Sequence, residues 1–295
     1  MYEIFDSAEA NEEIFNYYCA HDNIEIQDLL GGSEEPIAIF FTGHGLYYPT
    51  NIERFRYEVL TKNKYEWKNI SNNRRVSRKY SKAIFVRDVY KNWCIMGGGR
   101  DIRSQDQLAS KLKELINGKR CVTIGSSAGG YMAVLFGILL GAEAIFAFSP
   151  QINLHEYHID HPIKYYDNYV LDSNVSKYMD LTKLIKNYSG YIFYFFPYYC
   201  AEDYRQFLAA KKCENIFFYA MNQSQHGSTI WGDSIIFALS HPYFELAELS
   251  KKFHGKIIEP WQFSLRTAGL FKTIVIFLGK TVKGFLGKNK HKHVI

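Results

Sequence analysis

What the sequence is short of narrows its class first. It holds 5 cysteines in 295 residues, at positions Cys19, Cys94, Cys121, Cys200 and Cys213. An odd number without paired spacing does not describe a disulfide framework, and no C-x-x-C or Cys/His cluster has the spacing of a metal site. The first residues, Met1-Tyr2-Glu3-Ile4-Phe5-Asp6, lack the basic and apolar segments of a secretory signal. A reducing cytoplasm is the compartment these absences suggest. No apolar stretch is long enough to span a bilayer, and no repeat or low-complexity block is present. Charge of one sign is scarcely in excess: 35 Lys+Arg against 30 Asp+Glu leave +5. The basic residues gather at Arg74, Arg75, Arg78, Lys79 and Lys82 and again at Lys280, Lys283, Lys288, Lys290 and Lys292. Neither group sits in a nucleic-acid motif, so nucleic acid is not an expected partner.

What is present describes a globular enzyme-sized chain. Hydrophobic residues make up 47% and charged residues 22%, enough for a full core and too few charges for bulk disorder. Aromatic residues reach 17%, with 23 Tyr and 22 Phe. Two readings compete for them: AT-rich codon usage, or aromatic platforms for sugars. The length fits one catalytic domain over residues 1–250 with a tail over 251–295.

Continuous apolar runs mark strands buried on both faces. They occupy residues 36–41, 82–88, 121–124, 144–148, 191–196 and 215–220. Helical patterns separate several of them, notably 107–115, where Leu108, Leu112 and Leu115 share a face and Gly118 follows as a stop. The alternation predicts an α/β fold with a doubly wound, mostly parallel sheet, whose ligand crevice lies beyond the carboxyl ends of the strands. Residues from about 151 to 188 are polar, aromatic and irregular, as in a lid-like insertion. In the tail, Leu270, Phe271, Ile274, Val275, Leu278, Val282, Phe285 and Leu286 recur at helical spacing among lysines. This basic amphipathic helix either lies on an anionic membrane surface, as a peripheral contact, or docks on the protein's own core or a partner.

The chemistry concentrates at Gly125-Ser126-Ser127-Ala128-Gly129, a G-x-S-x-G pattern between the run 121–124 and the apolar helix pattern 131–140. A strand that turns sharply into a helix holds one serine at the apex, and small neighbours relieve the crowding of a strained bend. Ser127 is therefore the candidate nucleophile. A serine hydroxyl needs a base, and the base needs an orienting carboxylate. His226, in the polar loop Gln223-Ser224-Gln225-His226-Gly227-Ser228 after the last strand, is the candidate base, ahead of His155, His158, His161 and His241. Asp203 is the preferred acid, with Glu202 the alternative; an ordinary helix-start role competes for both. The oxyanion hole would draw on the backbone of Ala128 and on Gly43 or His44 in Thr42-Gly43-His44-Gly45. Arg87 is a candidate reader of an anionic substrate group, with an internal pair to Asp88 or a helix-terminal pairing as the alternative. Trp93 opens the glycine-containing loop 93–100 and is a candidate substrate contact.

Strand, elbow, acid loop and histidine loop together resemble the α/β-hydrolase superfamily over about residues 35–245. More narrowly, the Gly-Ser-Ser-x-Gly-Gly elbow followed by Leu135-Phe136-Gly137 is similar to a bacterial group linked to surface polysaccharides, which includes capsule O-acetyltransferases. The sequence departs from the family in its incomplete HGGG-type oxyanion turn. The resemblance implies an acyl-enzyme on Ser127, a His226 base and an Asp203 or Glu202 acid, with no metal. It implies ester hydrolysis of an acylated carbohydrate or related small ester, without a cofactor. The alternative is transfer of an acetyl group from acetyl-CoA to a surface polysaccharide. A third reading is a non-catalytic scaffold on the same fold.

Overall fold

The computed structural model of the chain describes residues 4–5, 7–157, 176–213, 215–227, 229–275 and 277–278. Seven strands form one sheet: β1 (Ile24–Asp28), β2 (Ile37–Phe41), β3 (Lys82–Val86), β4 (Cys121–Ser126), β5 (Ala144–Phe148), β6 (Tyr191–Pro197) and β7 (Ile216–Met221). Their spatial order is β1-β3-β2-β4-β5-β6-β7. Every pairing is parallel except β1 with β3, which is antiparallel. As an edge strand β1 has only half-buried and exposed residues, whereas every residue of β2 and β5 is buried.

The period of two along each strand sorts side chains into two cores. Ile37, Ile39, Phe41, Ile84 and Val86 face the helices Gln105–Ile116 and Ala128–Leu140. Ala38, Phe40, Phe85, Phe146 and Phe193 face the helices Gly232–Ser240, Tyr243–Phe253 and Pro260–Thr267. On that second face rings run across the sheet: Phe85 to Phe40 at 5.3 Å, Trp67 to Phe148 at 5.8 Å, Phe148 to Phe195 at 4.9 Å and Phe195 to Tyr219 at 4.5 Å. Much of the high aromatic content is thus core, where each stacked pair contributes about 0.5–1.5 kcal/mol beyond its buried area.

The packed body runs past the boundary expected at residue 250. Ile258 pairs with the sheet edge, its N–H donating to Ala220 O at 2.7 Å and its carbonyl accepting from Asn222 N at 2.8 Å. Phe263 is fully buried against Phe195 and Tyr219. Of the expected lid-like insertion, 158–175 lies outside the described residues, as do His158 and His161. Its described ends are strapped together: Leu154 N donates to Met179 O at 2.8 Å, and Leu181 N to Ile152 O at 3.0 Å. The tail beyond residue 278 is likewise outside. Among the described residues no helix is long and apolar enough to cross a membrane.

β2 stands where the strand order reverses, with β3 on one side and β4 on the other. A crevice opens beyond the carboxyl ends of such strands. The loop after β2 and the bend after β4 meet there.

Candidate active site

Ser127 stands between β4 and the helix Ala128–Leu140 with φ 57° and ψ −125°, a conformation sparsely populated by residues with a side chain. The bend is held from both ends. Ser127 N–H donates to Phe148 O at 2.8 Å, and its carbonyl accepts Tyr131 N–H at 3.1 Å. The glycines around it are required by contact: a methyl group at Gly125 would strike the Gly129 carbonyl, one at Gly129 the Phe41 carbonyl, and one at Gly130 would lie 2.9 Å from Pro150 Cα. Backbone cannot give way as a flexible side chain can. Gly129→Ala is therefore expected to destabilise the fold by about 3 kcal/mol or more, read as a lowered denaturation midpoint.

His226 lies in the loop after β7 and reaches back across the crevice. Its Nε2 is 2.8 Å from Ser127 Oγ, and its Nδ1 is 3.0 Å from Asp203 Oδ2. A carboxylate only accepts, so Nδ1 carries the proton and Nε2 presents its lone pair to the serine hydroxyl. Glu202, the alternative acid, has Oε1 3.9 Å from the same Nδ1. The carboxylate within hydrogen-bond range is therefore that of Asp203, which is 1% exposed in the first turn of the helix Ala201–Ala210. Burial disfavours the imidazolium and is the largest single influence on His226. The hydrogen bond and charge of Asp203, with the charge of Glu202, outweigh it, so the imidazole pKa lies above its ordinary 6.5. Gly227 N–H donates to Ser149 Oγ at 3.2 Å and anchors the histidine loop to the end of β5.

The expected oxyanion donors are treated differently by the structure. Ala128 is the first residue of its helix, where N–H groups have no intrahelical partner. Gly43 is a correction. Its N–H donates to Glu66 Oε2 at 2.8 Å, so this amide is already occupied by a side chain. Burial raises the Glu66 pKa, and the Gly43 hydrogen bond pulls the other way. Gly43 matters instead by its lack of a side chain: a methyl group there would lie 2.7 Å from Ser126 O. His44 begins a short turn beside the elbow, its ring 4.9 Å from Trp93 and its Nε2 3.9 Å from Asp88 Oδ2.

Arg87 is a second correction. Its Nε donates to Asn23 Oδ1 at 3.2 Å, its Nη1 to Lys64 O at 3.2 Å and its Nη2 to the Tyr17 hydroxyl, while the Tyr65 ring lies 4.3 Å from Cζ. The buried guanidinium spends its donors tying β3 to the helix Ala8–Ala20 and to residues 64–65. An anionic substrate group would have to break those bonds. Asp88 points elsewhere, into the turn 91–94. Burial pushes it up to about 6, against the pull of the Cys94, Asn92 and Trp93 amides. Lys91, Trp93 and Cys94 all take positive φ (51°, 57° and 52°), and the central carboxylate is what holds this strained turn.

Trp93 is buried at 2% exposure, too deep to be a substrate platform. It acts through a neighbour: Nε1 donates to Gln151 Oε1 at 2.7 Å, and Gln151 Nε2 lies 3.4 Å from Ser127 Oγ. Trp93→Phe keeps an aromatic ring but removes that donor and part of a buried indole. The expected loss is about 5-fold in kcat/KM, the worth of one neutral hydrogen bond, with the denaturation midpoint lowered by the cavity left behind. Sequence reasoning missed Gln151, Ser149 and Glu66. Only the first two carry a signal: they flank Pro150 at the carboxyl end of β5, where ligand-facing residues of such sheets gather.

One group of potential metal ligands converges among the described residues. Cys200, Asp203 and His226 offer atoms within 4.8 Å of one another. Burial pushes the Cys200 thiol up to about 11, and Asp203 already engages Nδ1 of His226. The imidazole nitrogen of this group is thus engaged in the hydrogen-bonded chain that leads to Ser127.

No protein-family model matches the chain, and no curated protein matches it. Solved structures do. The capsule O-acetyltransferase of Neisseria meningitidis serogroup A is similar over 79% of this chain and 91% of its own, at 14% identity and a TM-score of 0.48. A thermophilic esterase from Thermogutta terrifontis covers 78% and 92%, at 12% identity and 0.41. The 2,6-dihydroxy-pseudo-oxynicotine hydrolase covers 80% of this chain, which spans 66% of that enzyme, at 11% identity and 0.46. An antiparallel edge strand, six parallel strands in this order, a serine bend after β4 and two further loops meeting it at the carboxyl ends make this an α/β-hydrolase fold.

Proposed function

We propose that the protein is a serine-dependent acyl-ester hydrolase acting on an acylated carbohydrate or related small ester. The carrying observation is the unbroken chain from Ser127 Oγ to His226 Nε2 at 2.8 Å and from His226 Nδ1 to Asp203 Oδ2 at 3.0 Å. In this reading Ser127 Oγ attacks the ester carbonyl carbon as its proton passes to His226 Nε2. The imidazolium is stabilised by Asp203, and the carbonyl oxygen takes the negative charge at the amino end of the helix Ala128–Leu140. The tetrahedral intermediate collapses, the alkoxide leaves with the proton from His226, and the acyl group remains as an ester on Ser127. Water then gives its proton to His226, attacks the acyl carbon, and releases the carboxylic acid and free serine. The His226 side chain is 31% exposed, which supports water as the second nucleophile.

The same acyl-enzyme can be discharged by a sugar hydroxyl, so the test offers both acceptors. Purified protein is given p-nitrophenyl esters and O-acetylated oligosaccharides, and separately acetyl-CoA with unacetylated oligosaccharides. The expected result is carboxylate release from the esters by wild type and background release by Ser127→Ala. Acetylated oligosaccharide formed from acetyl-CoA, with the esters left intact, would replace hydrolysis by transfer. A folded protein inert toward both sets would leave the scaffold reading.

A further inference from the structure

Beyond the helix Pro260–Thr267 the chain turns at Gly269 (φ 83°) and is helical again over 270–275 and 277–278. A surface helix ordinarily buries its apolar stripe. Here the stripe faces out: Leu270 is 65% exposed, Phe271 80%, Ile274 48%, Val275 54% and Leu278 58%. Among the described residues of the segment the buried one is polar. Thr273 lies 3.1 Å from Ser264 Oγ and donates to Gly269 O at 2.8 Å. Single exposed apolar side chains are ordinary, but a contiguous set of this size marks an interaction surface.

A second observation concerns charge. Beside this segment is a cleft of about 390 Å³ lined by Arg74, Arg75, Arg78 and Lys272, with Asp233 the one acidic side chain among its described residues. Lys272 reaches Asp233 at 3.5 Å. The three arginines are exposed, and no carboxylate pairs with them among the described residues. Apolar side chains aimed outward beside unpaired guanidinium groups match an anionic bilayer surface, with hydrocarbon for the rings and phosphate for the arginines. A second copy of the chain fits worse, because a two-fold contact would set this basic cluster against its own image.

We propose that the face formed by Leu270, Phe271, Ile274, Val275 and Leu278 with Arg74, Arg75, Arg78 and Lys272 docks the protein on an anionic phospholipid membrane. The docking face is separate from the Ser127 site and stands independently of the catalytic reading. The test is co-sedimentation of the full chain with vesicles of phosphatidylcholine alone and of phosphatidylcholine with phosphatidylglycerol. Binding is expected to the mixed vesicles and to fall steeply with added salt. The exposed-site pair Phe271→Ser with Ile274→Ser, and separately Arg75→Glu with Arg78→Glu, should each weaken it about 10-fold or more. Ester hydrolysis in solution by these variants should match wild type, so the two readings fail separately. Equal binding to neutral vesicles, binding unchanged in the variants, or no binding overturns the proposal. So does a wild-type dimer by light scattering that dissociates in the Phe271→Ser, Ile274→Ser variant, which assigns the face to self-association.

Discussion

Ser127→Ala is expected to lower kcat for ester hydrolysis by on the order of 10⁴-fold or more, with the fold intact. The expectation follows from what the hydroxyl does and what it does not do. In the proposed reaction it supplies the electron pair of the acylation step, and among the described residues no other group bonds His226 Nε2. It does not hold the bend. Ser127 N–H and carbonyl do that through Phe148 and Tyr131, and alanine retains both bonds. The remaining rate should be that of substrate held near oriented amides and water, without a covalent intermediate. Steady-state kinetics with a p-nitrophenyl ester checks the loss. The denaturation midpoint, expected within a few degrees of wild type, separates lost chemistry from lost structure.

Asp203→Asn should cost about 10³- to 10⁴-fold in kcat and move the pH profile. Asparagine can donate to Nδ1 as well as accept from it. Donation would place the imidazole proton on Nε2, where the serine proton has to go. The base must be neutral to act, so wild-type activity rises with pH through a His226 pKa above the ordinary 6.5. Asp203 is the main source of that elevation, acting against burial. Without it the acidic limb shifts to lower pH while the plateau falls. The stability linkage has the opposite sense. A raised folded-state pKa stabilises the protein fully below the unfolded imidazole value, and this contribution fades as pH rises through the folded value. Glu202→Gln distinguishes the two carboxylates. At 3.9 Å from Nδ1 its contribution is through charge, so the expected loss is less than about 10-fold. Rate–pH profiles of wild type and both variants decide the matter. A deeper loss in Glu202→Gln than in Asp203→Asn would exchange their roles.

The parts of this molecule legible in the sequence are those set by local physics. β2 and β5 are buried on both faces and read as unbroken apolar runs. The serine bend shows itself because only small residues survive the contacts around Gly125 and Gly129. His226 stands out in the sequence by its place in a polar loop after the last strand, and its Nε2 lies 2.8 Å from Ser127 Oγ. What was hidden depends on pairs distant in the chain. Glu66 occupies the Gly43 amide from 23 residues away, and Trp93 reaches Gln151 across 58. No periodicity encodes such partners. Arg87 follows a strand of the site, as a substrate-reading residue would, yet its donors all turn inward to Asn23, Lys64 and Tyr17. The choice between Glu202 and Asp203 was open for a related reason. Adjacent helix positions point about 100° apart, and only the placement of the histidine loop selects one. The aromatic residues illustrate the same limit. Composition cannot tell a sugar platform from the ring series that runs from Phe85 to Tyr219 across the sheet.

The central claim is that an acyl group passes through Ser127. Rapid quenching of the protein during turnover of p-nitrophenyl acetate, followed by peptide mass mapping, tests it most directly. The account predicts an acetyl increment on the peptide containing Ser127, absent in Ser127→Ala. Ester turnover at the wild-type rate in Ser127→Ala, or the increment on a different residue, would contradict it.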